Sequence, residues 1–283
     1  MICCGTKTAK KIMTEWIGFD VETAGMLDEY ALQPWRVKAG HAWLRSWATS
    51  DGATHRATVA TTDYDYVVAK LRDMLTEWIS NGTVVVGWNI PFDIAWLVAY
   101  GCDDLVMQVK WIDAMLLWRH LENMPEYEVS SNKRRKFGLK LAVEEHFPDF
   151  AGYDESVNLS LGAPLLPLLH YNACDAIFTR ALGKIFYGQL KKNPKQLRAA
   201  MIESHSLALA AIATYDGLPV NNDALNELDD ALLEKINCLT YDLGDWGASP
   251  EIMASPKQLA DLVFNKWKLK PIKFGKTGPS TDK

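Results

Sequence analysis

Asp20 and Glu22 stand two apart in Phe19-Asp20-Val21-Glu22-Thr23. Asp93 closes Asn89-Ile90-Pro91-Phe92-Asp93, and Asp175 closes Tyr171-Asn172-Ala173-Cys174-Asp175. Gathered in one place, four carboxylates raise one another's pKa, and some stay protonated near neutral pH. Two divalent cations remove that conflict, and hard oxygen ligands suit Mg²⁺ or Mn²⁺ rather than zinc. Metals paired about 3.5–4 Å apart activate a water and stabilise the leaving oxygen of an in-line phosphoryl displacement. The chemistry implied is phosphodiester hydrolysis. Asp20 would bridge both metals and Glu22 and Asp175 would complete one site. Asp93 would hold the second metal, directly or through water, and Tyr171 would orient the attacking water. Each segment alone is commonplace; their order and local structure together are not.

The elements expected to position these groups follow from hydrophobic period. Residues 16–22 alternate, with Ile17, Phe19 and Val21 on one face and Gly18, Asp20 and Glu22 on the other. Strands are expected over 36–50, with a break at Gly40, and over 54–61, joined at Ser50-Asp51-Gly52 as a hairpin. Residues 65–78 carry helical periodicity, ended by Asn81-Gly82. The β-branched run 83–87 reads as a central strand buried on both faces. Pro91 opens the next helix, which places Asp93 in a first turn beyond the sheet edge. A strand is expected over 106–112, then a helix over 114–121 capped by Asp113. Helices follow near 139–146 and from Asn172 to about 190, where Tyr171 and Asp175, four apart, share a face. Lys191-Lys192-Asn193-Pro194 breaks the pattern, so the expected domains are 1–190 and 191–283. Beyond it, helices are expected at about 196–215, 222–243 and from Ser255-Pro256.

Apolar residues at 48 % and charged residues at 23 % exclude wholesale disorder. No signal-peptide core or membrane-length apolar run occurs, so a soluble, cytoplasmic protein with no membrane partner is expected. Cys3, Cys4, Cys102, Cys174 and Cys238 are odd in number and lack a CxxC pair, which argues against a disulfide framework or a zinc site. Cys174 reads as a small buried side chain on the inner face of its helix. The net charge of −5 argues mildly against a nucleic-acid partner, but the bases are clustered. Lys133-Arg134-Arg135-Lys136 forms one cluster, read equally as a polyanion contact or a solvated loop. The tail carries a second, including Lys257, Lys266, Lys268, Lys270, Lys273, Lys276 and Lys283. Most tryptophans, among them Trp16, Trp78, Trp88, Trp96 and Trp118, sit among apolar neighbours and are expected in the core.

Over residues 16 to about 190 the three segments resemble the motifs of the DEDD exonuclease superfamily. The resemblance implies an α/β fold, an RNase H-like mixed sheet flanked by helices, and 3′→5′ removal of nucleotides as 5′-monophosphates. It implies that Thr23 and the residues after it approach the terminal nucleotide, that Met26 falls at an apolar wedge, and that Asn89 and Phe92 shape the site. His170 precedes Tyr171, so the chain also fits the sister pattern of His, four residues and Asp. The tail favours the tyrosine form. There Tyr215-Asp216-Gly217-Leu218-Pro219-Val220, Ser255-Pro256-Lys257-Gln258-Leu259 and Lys276-Thr277-Gly278-Pro279-Ser280-Thr281-Asp282 resemble the polymerase start and thumb of family A DNA polymerases. That implies a mainly helical, partial polymerase segment after a proofreading nuclease, in the compact form found in bacteriophages. DNA is then the partner, as a single-stranded 3′ end or a primer-template. No palm or finger segment follows, so this chain alone is not expected to polymerise, and a separate palm-and-fingers chain is a possible partner. An RNase D-like RNA exonuclease shares the three motifs, and a non-catalytic assembly subunit is the remaining reading.

Overall fold

The computed structural model describes residues 15–122, 137–155, 157, 164–275 and 278–280. The chain divides into two compact units, Met1–Gly217 and Leu218–Lys283.

In the first unit β1 (Trp16–Gly25), β2 (Ala42–Ser50) and β3 (His55–Val59) form an antiparallel meander. The helix α1 (Tyr64–Asn81) follows, capped by the Asp63 carboxylate and ended by left-handed Gly82. Next come β4 (Val84–Gly87), α2 (Pro91–Ala99), the single turn α3 (Asp103–Val106), β5 (Lys110–Asp113) and α4 (Ala114–Glu122). The helices α5 (Leu139–His146), α6 (Leu165–Leu190) and α7 (Pro194–Asp216) complete the unit. The sheet order is β3-β2-β1-β4-β5, with β1, β4 and β5 parallel. β1 is therefore central, paired with one antiparallel and one parallel neighbour.

Alternation on β1 separates two cores. Phe19 and Val21 join Trp47, Leu71, Leu75, Trp78 and Trp96 on the face that α1, α2 and α7 cover. The opposite face receives α4, α5 and α6 through Leu117, Phe178, Leu182 and Phe186. Gly18 lies under α6, where an added Cβ would stand 2.0 Å from the Ala176 carbonyl oxygen. Gly183 admits Val86 in the same way: a Cβ there would lie 2.6 Å from the valine methyl. These two glycines let α6 lie close against β1 and β4.

Three expectations need correction. Residues 36–41 are not strand: Pro34–Arg36 is a 3-10 turn, and the strand begins at Ala42. Pro34 fixes a helical φ and the tight turn closes on itself through Val37 N–H to Pro34 O. Residues 103–106 are helical, and β5 begins only at Lys110. α6 starts at Leu165, seven residues before Asn172, because Leu165 to His170 extend its first turns behind Pro164. Trp78, Trp96 and Trp118 are buried, while Trp16 and Trp88 are half-buried.

The second unit contains α8 (Asn222–Gly244), capped by Asn221, then α9 (Pro250–Ala254) and α10 (Pro256–Ala260), capped by Ser249 and Ser255. A π-helical turn, Asp261–Lys266, precedes a hairpin of β6 (Lys273–Gly275) and β7 (Gly278–Ser280). Among the described residues no helix is long and apolar enough to cross a membrane.

Candidate metal centre

The strand β1 presents Asp20 and Glu22 on the face toward α6, as residues two apart must. On α6, Asp175 meets them. One carboxylate oxygen from each of Asp20, Glu22 and Asp175 lies within 4.8 Å of the others. A β-bulge follows at once, with the β1–β2 register shifting between Glu22 and Thr23. Bulges re-aim side chains beside functional sites.

Asn172, one helical turn before Asp175, locks the arrangement. Its amide nitrogen donates to Asp20 Oδ2 at 2.6 Å, and its oxygen accepts from Ser46 Oγ at 3.0 Å. Asn172 and Ser46 are fully buried, so the bond between them is shielded from water. This ties β1, β2 and α6 together at the cluster. Asn172 was legible as a partner of Asp175's face by its spacing of three, but nothing local pointed to Asp20.

Asp93 is 3 % exposed in the first turn of α2. Its Oδ1 accepts from Val21 N–H at 3.0 Å, between the two β1 carboxylates. It stands beside the three-oxygen cluster rather than in it. Its own position is set by Asp113. The Asp113 carboxylate accepts from the N–H groups of Asn89 (3.1 Å), Ile90 (3.2 Å), Met115 (2.9 Å) and Leu116 (3.2 Å). The expected cap of α4 is thus present, and the same side chain also holds the loop entering α2. In that loop Asn89 adopts φ +56°, a conformation asparagine tolerates better than most residues. Burial pushes the Asp113 carboxyl up to about 6, opposed by its four N–H donors.

Asp175 is crowded with donors. Its Oδ1 accepts from Lys140 Nζ and from the Tyr153 hydroxyl, and the Tyr171 hydroxyl also bonds to it. The Tyr153 and Tyr171 rings stack with centroids 6.3 Å apart. Burial, then the neighbouring carboxylates, holds both phenols far above the ordinary tyrosine range, so they act as donors at any working pH. Lys140 and Tyr153 lie 35 and 22 residues from Asp175, and no local pattern announced them. His170 is exposed, with Nδ1 3.8 Å from Cys174 Sγ, while Tyr171 turns inward. Cys174 packs against the core of Phe178, Leu182 and Phe186 as expected, but it is half-buried rather than buried.

The residues expected at a nucleic acid are placed as follows. Thr23 is half-buried, and its hydroxyl donates to Ala31 O at 2.6 Å. Met26 is 62 % exposed just past β1, followed by exposed Leu27, Leu32 and Trp35. Asn89 is exposed in the loop before α2, and Phe92 is half-buried near Trp96 with ring centroids 6.3 Å apart. Lys133, Arg134, Arg135 and Lys136 lie outside the described residues.

Burial pushes Asp20 well above the carboxylate range, and Asp175, Asp93 and Glu22 push it further. Burial likewise raises Asp93, despite the Val21 N–H. Burial and the Asp175 charge lift Glu22 from 4.5 to about 8. Burial also raises Asp175, which Lys140 and the two phenols hold back. Among the described residues Lys140, and Arg45 beside Glu22, are the positive charges acting on this group, fewer than its carboxylates, so the donor set fits divalent cations: only oxygen ligands, strained as anions, converging from two elements.

A pH dependence follows. Between 4.5 and about 8 the folded state holds a proton on Glu22 that the unfolded chain releases. Below that window both states are protonated and the charge penalty is absent; through it, rising pH destabilises the fold. In EDTA the thermal midpoint is expected to fall steadily from pH 5 to pH 8, and Mg²⁺ to recover most of the loss at pH 8. A midpoint rising over that range would show the carboxylates already ionised in the fold.

The chain matches no protein-family model, and no curated protein matches it. Its coordinates resemble those of solved nucleases. An apo form of a nuclease superposes with TM-score 0.50 at 17 % identity, covering 77 % of this chain and 94 % of that one. NrnC of Brucella melitensis, in a structure bound to pGG, superposes with TM-score 0.52 at 16 % identity, covering 74 % and 88 %. The fold is RNase H-like. At these identities the likeness concerns the fold, and the site's chemistry must be argued from its own residues.

Proposed function

We propose that the first unit is a metal-dependent 3′→5′ exonuclease acting on single-stranded nucleic-acid ends. The observation that carries this reading is the convergence of Asp20, Glu22 and Asp175 oxygens within 4.8 Å, beside an inward-facing tyrosine. Asp20, Glu22 and Asp175, with Asp93 alongside, would hold Mg²⁺ or Mn²⁺, two per site. When bound, such ions supply charge neutralisation at a phosphodiester and a water of lowered pKa. The chain's own groups do the rest. Asn172 fixes the angle of Asp20, Asp113 and Val21 fix Asp93, and the Tyr171 hydroxyl orients the water that attacks. Met26, Leu27, Leu32 and Trp35 offer an exposed apolar rim past β1 on which terminal bases can stack. The fold shared with NrnC, solved with pGG, supports a nucleic acid as substrate.

The finer reading takes DNA as that substrate, editing of primer ends as the role, and the segment beyond residue 190 as the start of a family A polymerase domain. Its support is the sequence of the tail, with caps at Ser255 and Asn221 where helices were expected. A separate palm-and-fingers chain would then be the partner. An RNase D-like preference for RNA is the alternative.

Both are tested by digesting matched single-stranded DNA and RNA oligonucleotides in Mg²⁺. Hydrolysis from the 3′ end, abolished by EDTA, is expected, with DNA the faster substrate. Faster RNA digestion selects the alternative, and activity persisting in EDTA overturns the metal mechanism. In the same assay Tyr171→Phe is expected to lower kcat by about 10²-fold. His170→Ala, an exposed position, is expected to leave it near wild type; the reverse pattern would move the water-orienting role to the histidine.

A further inference from the structure

Lys140 is the cation bonded to Asp175, and the four-carboxylate reading gives it no task. It sits in the first turn of α5, whose inner face is anchored by buried Leu139, Ala142 and Val143. Its ammonium donates to Asp175 Oδ1 and, at 2.6 Å, to the Tyr153 hydroxyl. It lies 4.5 Å from the Tyr153 ring centroid and 4.3 Å from that of Tyr171. The Tyr153 hydroxyl closes the triangle by donating to the same Asp175 oxygen.

An exposed lysine–carboxylate pair is worth little. This one differs, because the Asp175 side chain is only 8 % exposed and Lys140 33 %. Two stacked phenol rings add cation–π attraction and fix the ammonium. The oxygen it holds belongs to a carboxylate whose other neighbours, Asp20 and Glu22, repel it. Without metal, Lys140 thus supplies the charge that offsets this repulsion, while the two phenols add neutral hydrogen bonds to Asp175.

The same placement opposes metal binding. A divalent cation among Asp20, Glu22 and Asp175 must share Asp175 with a positive charge already bonded to it. At this range two like charges repel appreciably even at the moderate effective dielectric of a partly buried site.

We propose that Lys140 is a positioning residue, the built-in counter-ion of the carboxylate cluster, which aligns Asp175 in the metal-free protein and competes with divalent metal for it. This rests on the reading of the carboxylates as a metal centre. A purely structural lysine would lower stability on removal and leave metal affinity alone. A competing counter-ion lowers metal-free stability and raises metal affinity.

The test titrates Mn²⁺ into the full chain by calorimetry, alongside thermal midpoints in EDTA. Lys140→Met keeps the aliphatic stem and removes the charge. It is expected to lower the EDTA midpoint and to bind Mn²⁺ about tenfold tighter than wild type. Lys140→Arg, which keeps the charge, is expected to stay near wild-type affinity. Tyr153→Phe, which removes only the hydroxyl bridging the ammonium to Asp175, is expected to shift affinity in the same direction by about threefold. It also serves should the methionine variant not fold. Wild-type or weaker Mn²⁺ binding in the folded variants overturns the role of Lys140. No Mn²⁺ binding by wild type, or equal binding by Asp20→Asn, overturns the metal centre itself.

Discussion

Asp20→Asn is expected to abolish hydrolysis while making the metal-free protein more stable. The two effects have one origin. Asp20 is pressed by burial and by the charges of Asp175, Asp93 and Glu22, so as an anion it is strained. Asparagine keeps an oxygen for the Asn172 amide, now 2.6 Å from Oδ2, and so preserves the bond that joins α6 to β1. It removes a negative charge that a divalent cation held by the cluster would require. Losing several kcal/mol of charge stabilisation corresponds to about 10³-fold or more in rate. The thermal midpoint in EDTA is expected to rise by several degrees at pH 8, because one repelling carboxylate is gone. A variant that loses activity and also stability would mean that Asp20 holds the fold rather than a metal.

Gly18→Ala is expected to be the most damaging single-methyl change on the sheet. Its Cβ would stand 2.0 Å from the Ala176 carbonyl and 2.8 Å from Arg180 Cβ, where real contacts stay beyond 3.0 Å. The obstacle is helix backbone, which cannot swing aside as a side-chain tip can. α6 must retreat from β1 by about 1 Å, and it carries Asn172 and Asp175 with it. Overpacking of this kind costs roughly 3 kcal/mol. A displacement of about 1 Å at reacting groups costs on the order of 10²-fold in rate. Urea unfolding and single-turnover hydrolysis measure the two effects. Normal activity in a stably folded Gly18→Ala protein would show that the helix-to-strand distance does not set the carboxylate geometry.

The legible parts of this molecule are those governed by neighbours in sequence. Alternation over residues 16–22 placed Phe19 and Val21 in one core and turned Asp20 and Glu22 to the other face. Pro91 marked the start of α2, and Asp113 the cap of α4. Strand bounds slipped wherever a proline or a short helical turn competed with β-propensity, at Pro34–Arg36 and Asp103–Val106. The second tier of the site stayed hidden because it is made by tertiary approach. Lys140 and Tyr153 reach Asp175 from α5 and the turn after it, and Ser46 reaches Asn172 across 126 residues. Their residue types are ordinary, and only the close seat of α6 on Gly18 brings them into register. The spacing at His170 and Tyr171 admitted two assignments; on α6 the histidine is exposed and the tyrosine bonds to Asp175.

Asn172 carries one more implication. Its amide offers hydrogens to Asp20 Oδ2, so that oxygen must present a lone pair. A proton resident on Asp20 is thereby favoured on the other oxygen, because the unprotonated oxygen is the stronger acceptor. On the reading of this cluster as a metal centre, proton and metal would contend for Asp20, and loading the site with a divalent ion would discharge acid into the surrounding solvent.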